Sequence, residues 1–134
     1  MAGCCPRRER VVRIRWQRLV TNGETCQRCS STEKELNKAL EILKLLLPLS
    51  IRFEVEKVEI PYEEFKKDPL KSNQIFINDR PIEEYLGAKV GKSGCCNVCE
   101  SYECRTLEID NEVYEAIPAN LIVEAVIAAL GSCC

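Results

Sequence analysis

The residues best suited to chemistry are Cys26 and Cys29, in the stretch Thr25-Cys26-Gln27-Arg28-Cys29. An apolar strand pattern precedes this C-x-x-C and a long helical pattern follows it, so the two thiols fall where a helix begins. A helix N-terminus carries partial positive charge and unpaired N–H groups, which favour a thiolate over a thiol. Cysteines so placed have their pKa lowered, and the thiolate is the species that attacks disulfides or binds soft metals. Arg28, between the two sulfurs, adds a fixed cation. Three uses stay open for the pair: a redox dithiol, a soft-metal or metalloid site, or a structural pair.

Composition narrows the alternatives. The 134 residues suit one domain, and 46% hydrophobic residues supply a core. Histidine is absent. That removes Cys-His and Ser-His hydrolases, His-ligated zinc enzymes and facial-triad iron sites together. Ten cysteines remain, and in a reducing compartment they point to redox or metal chemistry before structural disulfides. A net charge of −2 argues against a nucleic-acid binder. The six arginines of residues 1–20 (Arg7, Arg8, Arg10, Arg13, Arg15, Arg18) leave a basic arm for nucleic acid as one reading; arginines on a strand paired with acidic neighbours are the blander one. Pro6-Arg7-Arg8-Glu9-Arg10 stands where a signal peptide would have its apolar core. The run Leu121–Leu130 is too short for a bilayer and contains Glu124. The expected setting is cytoplasmic, with no membrane partner.

The elements that must position the pair follow in order. Residues 1–9 read as a disordered arm, 10–131 as a single domain, and 132–134 as a C-terminal cysteine tail. Val11–Val20 alternates as a strand. Ser30–Leu47 is helical, with Leu36, Leu40, Leu43 and Leu47 in one stripe. Ser30-x-x-Glu33 suits a capping box, which would start the helix just after Cys29. Ile51–Ile60 is a second strand, parallel to the first. Arg13 and Arg15 then lie beside Glu54 and Glu56 on a thinly covered polar face, since Pro61–Ser72 holds at most one short helix. Gln74–Asn78 is a third strand. Glu83–Cys104 reads as a cysteine-rich loop, densest over about 84–104. Arg105–Asp110 and Glu112–Ile117 form a hairpin, and Pro118 opens a closing helix.

This order, with the CxxC after the first strand, resembles the thioredoxin fold. The phrases Asn22-Gly23-Glu24-Thr25-Cys26-Gln27-Arg28-Cys29, Ile75-Phe76-Ile77-Asn78-Asp79-Arg80-Pro81-Ile82-Glu83 and Glu103-Cys104-Arg105 are similar to those of a family of small prokaryotic thioredoxin-like proteins of unassigned function. The likeness covers roughly residues 11–130. It implies an α/β, thioredoxin-like fold: a β-α-β core, a C-terminal hairpin and helix, and a mixed sheet with one face thinly covered. It also implies that Cys26 is the nucleophile and that Cys29 resolves the mixed disulfide. One departure stands out. Where thioredoxin-like proteins place a cis-proline, this chain has Ser72-Asn73-Gln74.

The functional expectation is a thiol-disulfide oxidoreductase-like protein, acting on a disulfide-bearing protein or a small thiol and requiring no cofactor. The alternative is a soft-metal or metalloid protein, with zinc or another soft ion held by Cys95, Cys96, Cys99 and Cys104. A structural domain that docks a partner or pairs as a homodimer is the blander reading. The third strand runs antiparallel to the first, so the following loop starts toward the opposite end of the sheet. The loop is still long enough to fold back to Cys26, where its cysteines would serve as a relay that regenerates the CxxC. Pairing among themselves needs only short closures, so they are expected to bond among themselves or to a metal, independently of Cys26 and Cys29.

Overall fold

The computed structural model describes residues 10–21, 23–25, 27–94 and 102–131. The expected arm and cysteine tail, 1–9 and 132–134, lie outside the described residues. Strand β1 (Arg10–Leu19) is followed by helix α1 (Gln27–Leu46) and strand β2 (Ile51–Ile60), which pairs parallel with β1. The short helix α2 (Tyr62–Lys67) and a 3-10 turn (Pro69–Lys71) lead into β3 (Gln74–Ile77), antiparallel to β1. Asn78 and Asp79, at φ 51 and 65, turn the chain into β4 (Arg80–Pro81). Asn and Asp tolerate this left-handed region better than most residues. The four strands form one sheet in the order β2-β1-β3-β4.

Sheet order follows from what each face buries. Val12, Ile14 and Trp16 of β1 and Ile75 and Ile77 of β3 are almost wholly enclosed. Leu36, Ala39 and Leu43 of α1 join the same core, with Ile122, Ala125, Val126 and Ala129 of the closing helix α4 (Ala119–Gly131). Each buried Val, Leu or Ile side chain contributes about 1.5–3 kcal/mol by leaving water. On the other face the expected register is found, with Arg13 opposite Glu54 and Arg15 opposite Glu56. Arg13 pairs with Glu54 at 3.7 Å with both side chains more than half exposed, which stabilises little. Arg15 instead meets Asp79 at 3.8 Å and lies over the Phe76 ring. The open part of this face forms a shallow recess around these residues.

Three expectations are corrected. Ser30 does not cap α1: the helix opens at Gln27, which places Ser30 inside it, and Glu33 pairs with Lys57 at 2.6 Å. Residues 83–94 are not loop. They form helix α3 (Ile82–Leu86), closed by Gly87 at φ 65, and strand β5 (Lys89–Gly94). Lys89-Val90-Gly91-Lys92-Ser93-Gly94 has too few apolar residues to announce a strand, yet it pairs residue by residue with β6 (Glu103–Ile109). Finally, the C-terminal hairpin does not extend the first sheet. β6 and β7 (Glu112–Tyr114) join β5 in a separate three-stranded sheet, β5-β6-β7. The chain is thus mixed α/β, and among the described residues no helix is long and apolar enough to cross a membrane.

Helix α1 also fixes the start of α4. The Thr32 hydroxyl accepts from the Ile117 N–H at 3.1 Å, and Glu35 Oε1 accepts from the Ala119 N–H at 2.9 Å. That backbone donor holds the Glu35 carboxyl below its usual value of 4.5. A carboxylate with a lowered folded pKa stabilises above its unfolded pKa, and the contribution is lost as pH falls through the folded value. Glu35→Gln is therefore expected to lower the urea midpoint near neutral pH by the equivalent of about 0.5–1 kcal/mol. The difference should shrink once both states are protonated, well below pH ~4. Equal differences at neutral and acid pH would contradict this account.

Candidate functional site

Thr21 and Glu24 exchange backbone hydrogen bonds of 2.8 and 2.9 Å, and Gly23 lies between them at φ 78. A residue with a Cβ would be strained at that φ. This tight reversal feeds the chain from β1 into α1, and it makes Cys29 the third residue of the helix. Cys29 is therefore in the first turn, not just ahead of the helix as a Ser30 cap would have it. It is 1% exposed. Cys26 lies outside the described residues.

Opposite Cys29 is the segment entering β3. Ser72 and Asn73 are buried polar residues, and Ser72 Oγ is 3.5 Å from Cys29 Sγ. The same Ser72 oxygen accepts the Leu19 N–H at 2.9 Å. Asn73 adopts φ 61, and its amide is used at both ends. Its Oδ1 accepts from Trp16 Nε1 at 3.4 Å, and its Nδ2 donates to the Glu115 carbonyl at 3.1 Å. Buried amides and hydroxyls are retained where such partners exist. The described peptide bonds here are trans, so Ser72-Asn73 meets the helix through side chains and an αL residue rather than a cis bond.

Arg28 has a different role from the one its position between two cysteines suggests. Its side chain is 5% exposed and pairs with Glu115 at 3.0 Å. Nη2 also donates to Ser93 Oγ at 3.0 Å and to the Gly94 carbonyl at 2.9 Å, and Nη1 reaches the Arg105 carbonyl at 3.3 Å. Ser93 Oγ in turn donates to Glu115 at 3.3 Å. The guanidinium thus clamps α1 to the end of β5, to β6 and to the residues after β7. Its charge is matched by Glu115, while among the described residues Arg28 Nε has no hydrogen-bond partner.

The same clamp marks where the chain returns toward α1. β3 does end beside Ile14, toward the far end of β1, but β5 carries the chain back until Gly94 meets Arg28. On the return, Cys104 stands cross-strand from Ser93 and is 1% exposed. Cys95, Cys96 and Cys99, proposed as metal ligands with Cys104, lie outside the described residues. Among the described residues no group of three or more Cys, Asp or Glu side chains is placed to hold a metal ion.

Beneath β6, a second buried arginine supports the site. Arg105 donates to the Leu70 carbonyl at 2.7 Å and pairs with Glu83. It thereby fixes the Pro69–Lys71 turn that delivers Ser72. Tyr102 packs edge-on to Phe65 with ring centroids 5.7 Å apart. The cleft alongside is lined by Lys67 and Lys92 but also by Asp68 and Glu103, a balanced set with no preference for one sign of charge.

The comparisons bear on the whole of this arrangement. Residues 12–126 match the family described as a domain of unknown function, DUF2703. The chain belongs to the DUF2703 family. An uncharacterized protein of Archaeoglobus fulgidus is 47% identical over 110 residues, covering 81% of this chain and 80% of the relative. No solved structure matches. The DUF2703 span begins in β1 and ends in α4, so it takes in Arg28, Cys29, Ser72, Asn73, Arg105 and Glu115. Of these, sequence reasoning named Arg28 and Cys29 as site residues. It also placed Ser72-Asn73 opposite the CxxC, by resemblance, without foreseeing the polar contacts there. Ser93 and Glu115 gave no signal, because a serine among lysines and a glutamate in a turn look like solvated surface.

Proposed function

We propose that this DUF2703 chain exchanges thiols and disulfides through Cys26 and Cys29, on a thioredoxin-like framework. The observation that carries the reading is Cys29, enclosed in the first turn of a 20-residue helix with its sulfur 3.5 Å from the Ser72 hydroxyl. A cysteine placed there gains from the helix N-terminus, which favours thiolate. The order β2-β1-β3-β4, with β1 and β2 parallel and β3 antiparallel, supports a thioredoxin-like framework. In that scheme the Cys26 thiolate attacks a substrate disulfide and releases one thiolate. The Cys29 thiolate then attacks Cys26 Sγ, releases the second, and leaves a Cys26–Cys29 disulfide. The substrate class is a disulfide-bearing protein or a small thiol.

The test is equilibration of the protein in glutathione buffers of graded redox ratio, followed by alkylation and peptide mass spectrometry. The peptide bearing Cys26 and Cys29 should pass reversibly from doubly alkylated to internally disulfide-bonded along a two-electron curve. If it never forms that disulfide at any ratio, the proposal fails.

A further inference from the structure

Resting on the dithiol reading above, we infer that Ser72 tunes this couple: its hydroxyl donates to the Cys29 sulfur and stabilises the thiolate that leaves when the disulfide is opened. Three observations lead there. Ser72 is 0% exposed and Cys29 1%, so water does not solvate either group. Their side chains are within hydrogen-bond distance, and either atom is able to be the donor. The Leu19 N–H already donates to Ser72 Oγ at 2.9 Å, so a lone pair of that oxygen is used and its proton is left to point elsewhere.

A buried anion without a hydrogen bond is costly, and a hydroxyl donating to it is the least expensive substitute for lost hydration. The network therefore acts as a short relay of polarity from the β1 backbone through Ser72 to Cys29. When an incoming thiolate attacks Cys26 Sγ, the S–S bond breaks and its electron pair stays on Cys29. Ser72 receives no proton and gives none up; it holds a hydrogen bond that is stronger to the thiolate than to the disulfide sulfur. Stabilising the reduced form in this way makes the couple more oxidising. It also makes Cys29 the better leaving group, since lower-pKa thiols leave faster. Ser72 is thus a positioning residue that acts through Cys29, and Asn73 and the Pro69–Lys71 turn hold it in place.

The experiment measures the glutathione equilibrium of the Cys26–Cys29 couple in wild type, Ser72→Ala, Ser72→Thr and Ser72→Val. Ser72→Ala should shift the equilibrium constant about tenfold toward the disulfide, a potential about 30 mV lower. Thr and Val have nearly the same shape and load the buried site equally, so their comparison isolates the hydroxyl even if the alanine variant does not fold. Ser72→Thr should lie within a few-fold of wild type and Ser72→Val should follow alanine. Equal potentials for Thr and Val, or for Ala and wild type, overturn the inference while the dithiol reading stands. No reversible couple in wild type overturns both.

Discussion

On the proposed thiol–disulfide exchange, Cys29→Ser is expected to leave the first half of the reaction intact and stop the second. Cys26 directly precedes Gln27, the first residue of α1, in the sequence, so as the proposed nucleophile it should still attack an aryl disulfide reagent and release one equivalent of aryl thiolate. The serine hydroxyl does not displace a thiolate from sulfur, so the mixed disulfide should accumulate and peptide mapping should find the adduct on Cys26. Steady-state turnover should fall by about a thousandfold or more, the scale of loss when a group acting as a unit with the nucleophile is removed. Cys26→Ser should abolish the initial release as well. A Cys29→Ser variant that turns over as fast as wild type would show that another thiol resolves the intermediate, and the assignment of Cys29 would fall.

What made Cys29 legible is local. A C-x-x-C between a strand pattern and a helix pattern says where the thiols are, because both patterns are short-range: period two in Val12, Ile14 and Trp16, and a leucine stripe from Leu36 to Leu43. The β1–β2 register was legible for the same reason, since only one alignment sets Arg13 and Arg15 against Glu54 and Glu56. The second sheet was not. β5 owes its place to pairing with β6 and to the Arg28 clamp, whose contacts lie at separations of 65 and 66 residues along the chain, and no window of its own sequence carries that information. Arg28 shows the same limit. Its type and position suggested a cation for the thiols, whereas its partners, Ser93, Gly94, Arg105 and Glu115, make it a strap between α1 and the second sheet.

Arg105→Met is expected to be the most destabilising single change near the site. The Arg105–Glu83 pair is nearly enclosed, with side-chain exposures of 8% and 13%. Glu83 pairs with Arg105 through Oε2, and among the described residues its Oε1 has no hydrogen-bond partner. Removing the guanidinium leaves a buried carboxylate without its counter-charge and the Leu70 carbonyl without its 2.7 Å donor. Breaking a buried pair in this way costs about 3–5 kcal/mol, a large part of the roughly 5–15 kcal/mol that holds a domain folded. Thermal denaturation should fall by about 10–20 °C. The paired change Arg105→Met with Glu83→Leu removes both charges and should recover much of the loss. Because Leu70 belongs to the turn that delivers Ser72, the single variant should also loosen the Ser72–Cys29 contact and lower the potential of the dithiol. If the double variant is no more stable than Arg105→Met alone, the cost lies in lost packing rather than in the stranded carboxylate, and this account of Arg105 is wrong.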